Sequence, residues 1–456
     1  MKSHFLAAIL ILAPAAAGAQ ATSEFEPPAL DKKKGGSDKV TLLKRVENNP
    51  GPWKASDIEI EQERGRPYVY VSGFVNYNTK IYDITNTSAP KLIYTWTIED
   101  PELHRGIGAM DAAYFKIDGR YYFVQSLQFQ QGTPDEDLGA VILDVTGLPD
   151  ASKVKEVARI RYKAAPGGFH NGFTYKHSTG RALYFATIND QKALVYDLDK
   201  VVKGGDPASW LIGSIHNPTP FQQIKGGGYH DFYVAWDPAA KKDKFYGAGL
   251  GGFSVWDVTK PEAATQEFTI TSLGQDLAHT FTPSPDGRYA VTETEYQYSP
   301  LRIWDLQDGQ TGKTENIDQP ISAWTADLRA LAHNHEVRWP YVFVSGYEDG
   351  LQIFSLEDPK NPKTLGRYYT CECEHEKGFG GSPENGWQSN HSVMQGAFGV
   401  DVRNYDGLVV ISDMRTGLWT FKFKGFDGWN GRDHGMPNIS SAQDWDKGPV
   451  AQDLRP

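Results

Sequence analysis

Four of the chain's twelve histidines open runs of the same kind: His170-Asn171-Gly172-Phe173, His230-Asp231-Phe232-Tyr233, His279-Thr280-Phe281-Thr282 and His335-Glu336-Val337-Arg338. They stand 60, 49 and 56 residues apart. Neutral imidazole is a ligand for Zn, Cu, Fe and Mn, so four equivalent histidines drawn to one point would form a transition-metal site whose ion the sequence does not choose. His333, two residues before His335, and His391, 56 residues beyond it, extend the set. Asp111 precedes Asp118-Gly119-Arg120-Tyr121 by the offset that separates His279 from Asp286-Gly287-Arg288-Tyr289, which offers a carboxylate at the matching place in an earlier unit. The competing reading is that each histidine serves its own unit, hydrogen-bonded to a nearby turn aspartate.

Auxiliary groups stand close by. Tyr229 follows Gly226-Gly227-Gly228 and precedes His230, where a phenol can donate a proton, and Arg105 in His104-Arg105-Gly106 can hold an anionic group. His104, His177, His216, His375 and His434 lie in loops or polar segments and read as surface residues. The two cysteines, Cys371 and Cys373, form either a strained disulfide or, with His375, part of a soft metal site. No Ser-His-Asp order, phosphate loop, HExxH motif or paired-carboxylate spacing supports a hydrolase or kinase by motif.

What must position these residues is a repeat. The runs Ile81-Tyr82-Asp83-Ile84, Ile142-Leu143-Asp144-Val145, Val195-Tyr196-Asp197-Leu198, Val255-Trp256-Asp257-Val258, Ile303-Trp304-Asp305-Leu306, Ile353-Phe354-Ser355-Leu356 and Thr420-Phe421-Lys422-Phe423 are seven copies of one strand. A β-rich run precedes each copy and another follows most of them, which with one strand upstream gives four antiparallel strands per unit. Seven such units describe an all-β, seven-bladed β-propeller, an architecture that leaves only short edges exposed. The last unit runs into Gly428-Trp429-Asn430-Gly431 without an outer strand, and Val40-Thr41-Leu42-Leu43-Lys44-Arg45-Val46 is free to supply it. The histidines then fall on innermost strands, which line the central channel.

Residues 1–21, with Lys2, an apolar run over 5–17 and small residues around 17–21, read as a secretory signal peptide, which implies a periplasmic or secreted protein. Residues 22–39 read as a flexible leader, 40–424 as the propeller and 425–456 as an irregular C-terminal tail. The net charge of −11 and the lack of a basic run argue against nucleic acid as partner, and no later apolar run is long enough to span a bilayer. A small-molecule or glycan ligand is compatible with this composition, which does not address oligomeric state.

The segments Asn78-Thr79-Lys80-Ile81-Tyr82-Asp83-Ile84-Thr85-Asn86-Thr87-Ser88-Ala89-Pro90 and Gly350-Leu351-Gln352-Ile353-Phe354-Ser355-Leu356-Glu357-Asp358-Pro359-Lys360-Asn361-Pro362 resemble the LVIVD repeat of exported bacterial propellers. That resemblance implies a seven-bladed propeller outside the cytoplasm and brings no catalytic motif with it. Residues 279–306 also resemble a single WD-repeat blade. The expectation is an exported propeller with a His-ligated metal in its channel, acting as an oxidoreductase, lyase or hydrolase on a small or saccharide substrate, or else a non-catalytic binding propeller of the cell envelope.

Overall fold

The computed structural model describes residues 35–51, 53–218, 228–271, 278–295, 298–328, 330–371, 394–429 and 443–449. Seven sheets succeed one another along the chain, the first six ordered from the channel outward as their strands occur in sequence and the seventh taking its outer strand from the start of the chain. The innermost strands of blades one to seven are Ile58–Ile60, Gly106–Ile117, Phe169–Lys176, Tyr229–Asp237, Ala278–Pro283, Asn334–Arg338 and Ala397–Val402. The seven repeated runs are the third strands. Blade four gains a short fifth strand, Asn316–Ile317, which pairs parallel to its outer strand Thr265–Ile270.

Burial explains the repeat. Second and third strands are packed on both faces by neighbouring blades, so Tyr68–Gly73 and Leu138–Asp144 are buried throughout. Outer strands such as Lys91–Thr97 and Lys155–Arg161 keep a wet face and read as mixed polar sequence. The recurring aspartate ends its strand: the carboxylates of Asp83, Asp144 and Asp257 each accept the backbone N–H two residues on, a local turn that competes with continued pairing. In blade six the Ser355 hydroxyl accepts the same bond from Glu357.

The expected closure is present. Val40–Val46 pairs antiparallel with Gly417–Phe423, from Val40 opposite Phe423 to Val46 opposite Leu418, and becomes the outer strand of blade seven. Both ends of the propeller therefore share one sheet, and neither leaves an open edge.

Within the C-terminal tail, residues 443–449 pack against the propeller. Trp445 is 4% exposed and lies against Tyr114 and Phe115. The Gln443 amide donates to the Thr174 carbonyl at 2.7 Å and accepts from Lys176 N at 2.6 Å, while Lys116 Nζ meets Asp446 at 2.7 Å. Gln443 and Trp445 border a channel cavity of about 90 Å³ that is also lined by Asp57, Asp111, Asp231 and Glu336.

Candidate metal centre

Inner strands begin with a bulge. In blade four Tyr229 pairs with Gly249 and Asp231 with Ala248, so His230 is an extra residue. Blade five leaves out His279 in the same way, and blade seven leaves out Phe398. Blades two and three carry the irregularity at Met110-Asp111 and His170-Asn171. In blade six His333 N bonds to the Ser345 carbonyl just ahead of the Asn334–Ser345 pair. A bulge breaks strand alternation and re-aims the extra side chain.

The matched registers give two successive levels around the channel. Met110, His170, His230, His279, His333 and Phe398 hold equivalent positions in blades two to seven, and Asp111, Asn171, Asp231, Thr280, Asn334 and Gly399 hold the next. In blade one, Asp57 accepts from Ala112 N at 3.0 Å as Asp111 accepts from Gly172 N at 3.1 Å, which aligns Ser56 with Met110. Each of these two carboxylates therefore clips its blade to the following one.

The upper level draws four imidazoles together. His170 Nε2 and His230 Nε2 are 3.2 Å apart, the rings of His230 and His279 are centred 4.3 Å apart, and those of His279 and His333 4.6 Å. Their other nitrogens are held from outside: His170 Nδ1 meets Gln128 Oε1 at 2.8 Å, His279 Nδ1 meets Thr280 Oγ1 at 2.8 Å, and His333 Nδ1 meets the Phe398 carbonyl at 2.7 Å. An Nδ1–H donated to an oxygen leaves Nε2 with its lone pair inward, the tautomer a metal requires. His230 Nδ1 and His279 Nε2 are buried without a hydrogen-bond partner.

Glu295 joins them. One ligand atom from each of His230, His279 and Glu295 falls within a 4.8 Å group, and Glu295 Oε2 lies 3.8 Å from His279 Nε2. Tyr347 donates its hydroxyl to the other oxygen, Oε1, at 2.6 Å. Tyr347 has φ +42°, a left-handed conformation uncommon for a bulky residue, so the turn holds the phenol in place at some backbone cost.

Burial sets the charge state. It pushes His170 down to about 4 and His333 to about 3, and lowers His230 and His279 strongly, with neighbouring imidazoles adding to the effect on the latter two. The four rings are neutral near pH 7, which is the ligating form. Burial raises Glu295 to about 7 against the Tyr347 hydrogen bond.

Several sequence expectations need correction. His335 does not belong to the ring; it is fully buried, borders the lower cavity, and its Nδ1 is bound to Glu293 of blade five at 3.1 Å. His333 takes its place, because the bulge shifts which residue of the inner strand faces the upper channel. Asp111 sits one level below the histidines, and Met110 is their equivalent. Tyr229 is buried between blades, its hydroxyl held by Ser254 Oγ at 3.0 Å and the His216 carbonyl at 3.1 Å, with its ring edge-on to Phe245. Arg105 is exposed in the segment leading into blade two.

His177 is fully buried rather than solvated, 3.2 Å from Asp243, and so plays the structural part that the competing reading gave to the channel histidines. His104 is also buried, packed on Phe129, whereas His216 is exposed. Cys371 is disulfide-bonded. His391, Cys373, His375 and His434 lie outside the described residues. Glu295, Tyr347, Gln128 and Met110 escaped the sequence reading; the pair Glu293 and Glu295, at the end of the buried second strand Tyr289–Thr294 and in its turn, was the available signal.

No family model and no curated protein matches the chain. Solved structures match by shape, 1391 chains in all, which makes the likeness a statement about architecture. The crystal structure of Raptor from Chaetomium thermophilum aligns with a TM-score of 0.54 at 12% identity, covering 84% of this chain and 29% of that one. The chain thus spans less than a third of that protein's length, and identity this low shows the propeller fold alone.

Proposed function

We propose that the chain is an exported propeller of the LVIVD-repeat kind whose channel binds one transition-metal ion through His170, His230, His279 and His333, with Glu295 beside them. The single observation carrying this reading is the His170–His230 contact. With metal–nitrogen bonds of about 2.0–2.1 Å, nitrogens 3.2 Å apart subtend about 100° at a shared ion, close to a tetrahedral angle. Without an ion, the His170–His230 pair can be joined only by one Nε2–H donating to the other ring, and His230 Nδ1 and His279 Nε2 remain buried and unpartnered, an arrangement that costs about 1–3 kcal/mol per unsatisfied group.

A protein-held ion with an open position can polarise a bound oxygen or change oxidation state. Hence the activity is an oxidation, or a lyase or hydrolytic step, on a small or saccharide-like molecule reaching the channel. Glu295, held near neutrality and hydrogen-bonded to Tyr347, is the group beside the ion able to exchange a proton.

The test is elemental analysis of protein purified without a histidine tag after metal-supplemented expression. One equivalent of Zn, Cu, Fe or Mn per chain supports the centre. Absence of all four would overturn it and leave a binding propeller of the cell envelope.

A further inference from the structure

The strand register sets blades five and six apart from their neighbours. Opposite Asp231, Thr280, Asn334 and Gly399, the second strands of blades four to seven place Ala248, Glu293, Ser345 and Ser412. Three of these are small and the fourth is a carboxylate, 2% exposed. The next residues of the inner strands are Phe232, Phe281, His335 and Val400, so blade six places an imidazole where the other three have apolar side chains. Glu293 and His335 are the two exceptions, and they meet each other at 3.1 Å. A buried polar pair of this kind adds little stability over an apolar one, so the fold by itself does not call for it.

Glu293 has a second neighbour. Its Oε1 lies 3.8 Å from His279 Nδ1 and is buried without a hydrogen-bond partner, while Glu295 Oε2 lies 3.8 Å from His279 Nε2. Two carboxylates of blade five therefore flank one imidazole, each with its other oxygen held by blade six, through His335 Nδ1 and the Tyr347 hydroxyl. His279 Nδ1 already meets Thr280 Oγ1 at 2.8 Å, so Glu293 acts on the ring by its charge and not as a hydrogen-bond acceptor. Among the described residues no Lys or Arg pairs with either carboxylate. An ion on the Nε2 side of His279 would supply the missing positive charge.

Resting on the reading of the histidines as a metal centre, we propose that Glu293 is a positioning residue of that centre, its charge behind His279 favouring a divalent ion over a monovalent one. Metal binding at Nε2 makes the Nδ1–H edge of the imidazole more positive, and a carboxylate buried on that side stabilises the bound form more as the ion's charge rises. Glu293 stands on the Nδ1 side of the ring and is not itself a ligand.

The experiment uses the full mature chain stripped of metal, titrated with Zn²⁺ against a zinc chelator and, anaerobically, with Cu(I) against a chromophoric Cu(I) chelator. Glu293→Gln removes the charge and keeps an acceptor for His335, and Glu293→Asp keeps the charge. The expected result is a Zn²⁺ affinity about tenfold to a hundredfold lower in Glu293→Gln, with a distinctly smaller loss for Cu(I). Glu293→Asp should bind Zn²⁺ more nearly as wild type does. Equal Zn²⁺ affinity in wild type and Glu293→Gln overturns the proposal, and so does an equal loss of both ions, which would mark a role in packing; either result leaves the histidine centre standing. Wild type that takes Cu(I) and not Zn²⁺ also overturns it, and wild type that binds neither ion overturns both readings. Should Glu293→Gln fail to fold, Glu293→Met, apolar and of similar length, serves as the neutral variant and is read in the same way.

Discussion

His335 Nδ1 lies 3.1 Å from Glu293 Oε2, between blades five and six, while His333, two residues earlier on the same chain segment, faces His279 in the channel. One histidine joins two blades and the other joins the metal centre. Their separate roles can be tested apart.

Replacing His170, His230, His279 or His333 singly by Ala should lower metal content sharply and leave the propeller folded, since each blade keeps its own ladder. His335→Ala should do the opposite. It retains metal but loses about 1–3 kcal/mol of stability, because Glu293 is left buried without its partner. Metal analysis beside urea denaturation of the five variants checks this; metal loss in His335→Ala would return that residue to the ring.

Acid should release the metal only well below the free-histidine value of about 6.5. Burial already holds His170 near 4 and His333 near 3, so protons compete weakly for the ring in the range where exposed histidine sites let go. Dialysis at about pH 5.5 should leave the ion bound, and dialysis at about pH 3.5 should remove it. Complete loss at the higher pH would show that the rings are more accessible than the structure has them.

Asp57 should make the protein less stable as pH rises. Burial, with Asp401 and Asp231 nearby, raises its carboxyl to about 7, above its ordinary 3.8. A carboxyl raised by folding contributes stability that is full below the unfolded value and lost as pH passes the folded one. Asp57→Asn keeps an acceptor for Ala112 N and removes the ionisation, so its melting temperature relative to wild type should climb between about pH 5 and pH 8. A constant difference across that range would mean that Asp57 is ionised throughout.

Removing Val40–Val46 should destabilise the whole propeller, since the outer edge of blade seven is opened and the link between the chain's ends is cut. A chain starting at residue 50 that melts with the full mature protein would disprove the clasp.

Trp445→Ala should cost about 3–5 kcal/mol, the usual range for a large buried aromatic, because the ring fills space against Tyr114 and Phe115. Chemical denaturation measures it. A change below about 1 kcal/mol would show that the tail segment rests on the propeller without helping to hold it.

The chain's own order of residues determined the blades. Aspartate ends a strand through a turn two residues long, apolar runs mark strands packed on both faces, and a missing last strand can be supplied only by an unmatched run elsewhere; all three are local or countable. It also determined that histidines recur with the repeat, and so that the channel would hold imidazoles. It did not determine which imidazoles. A bulge adds one residue to an inner strand and breaks the period of two, so spacing alone assigned His335 and Asp111 to a level that His333 and Met110 occupy. Tyr229 stood beside a ring histidine in sequence, and strand geometry turned it between blades. Glu295, Tyr347 and Gln128 reach the centre from second strands and their turns, up to several blades apart, where no sequence period links them to the histidines. Only the closed curvature of seven sheets brings them within hydrogen-bonding distance.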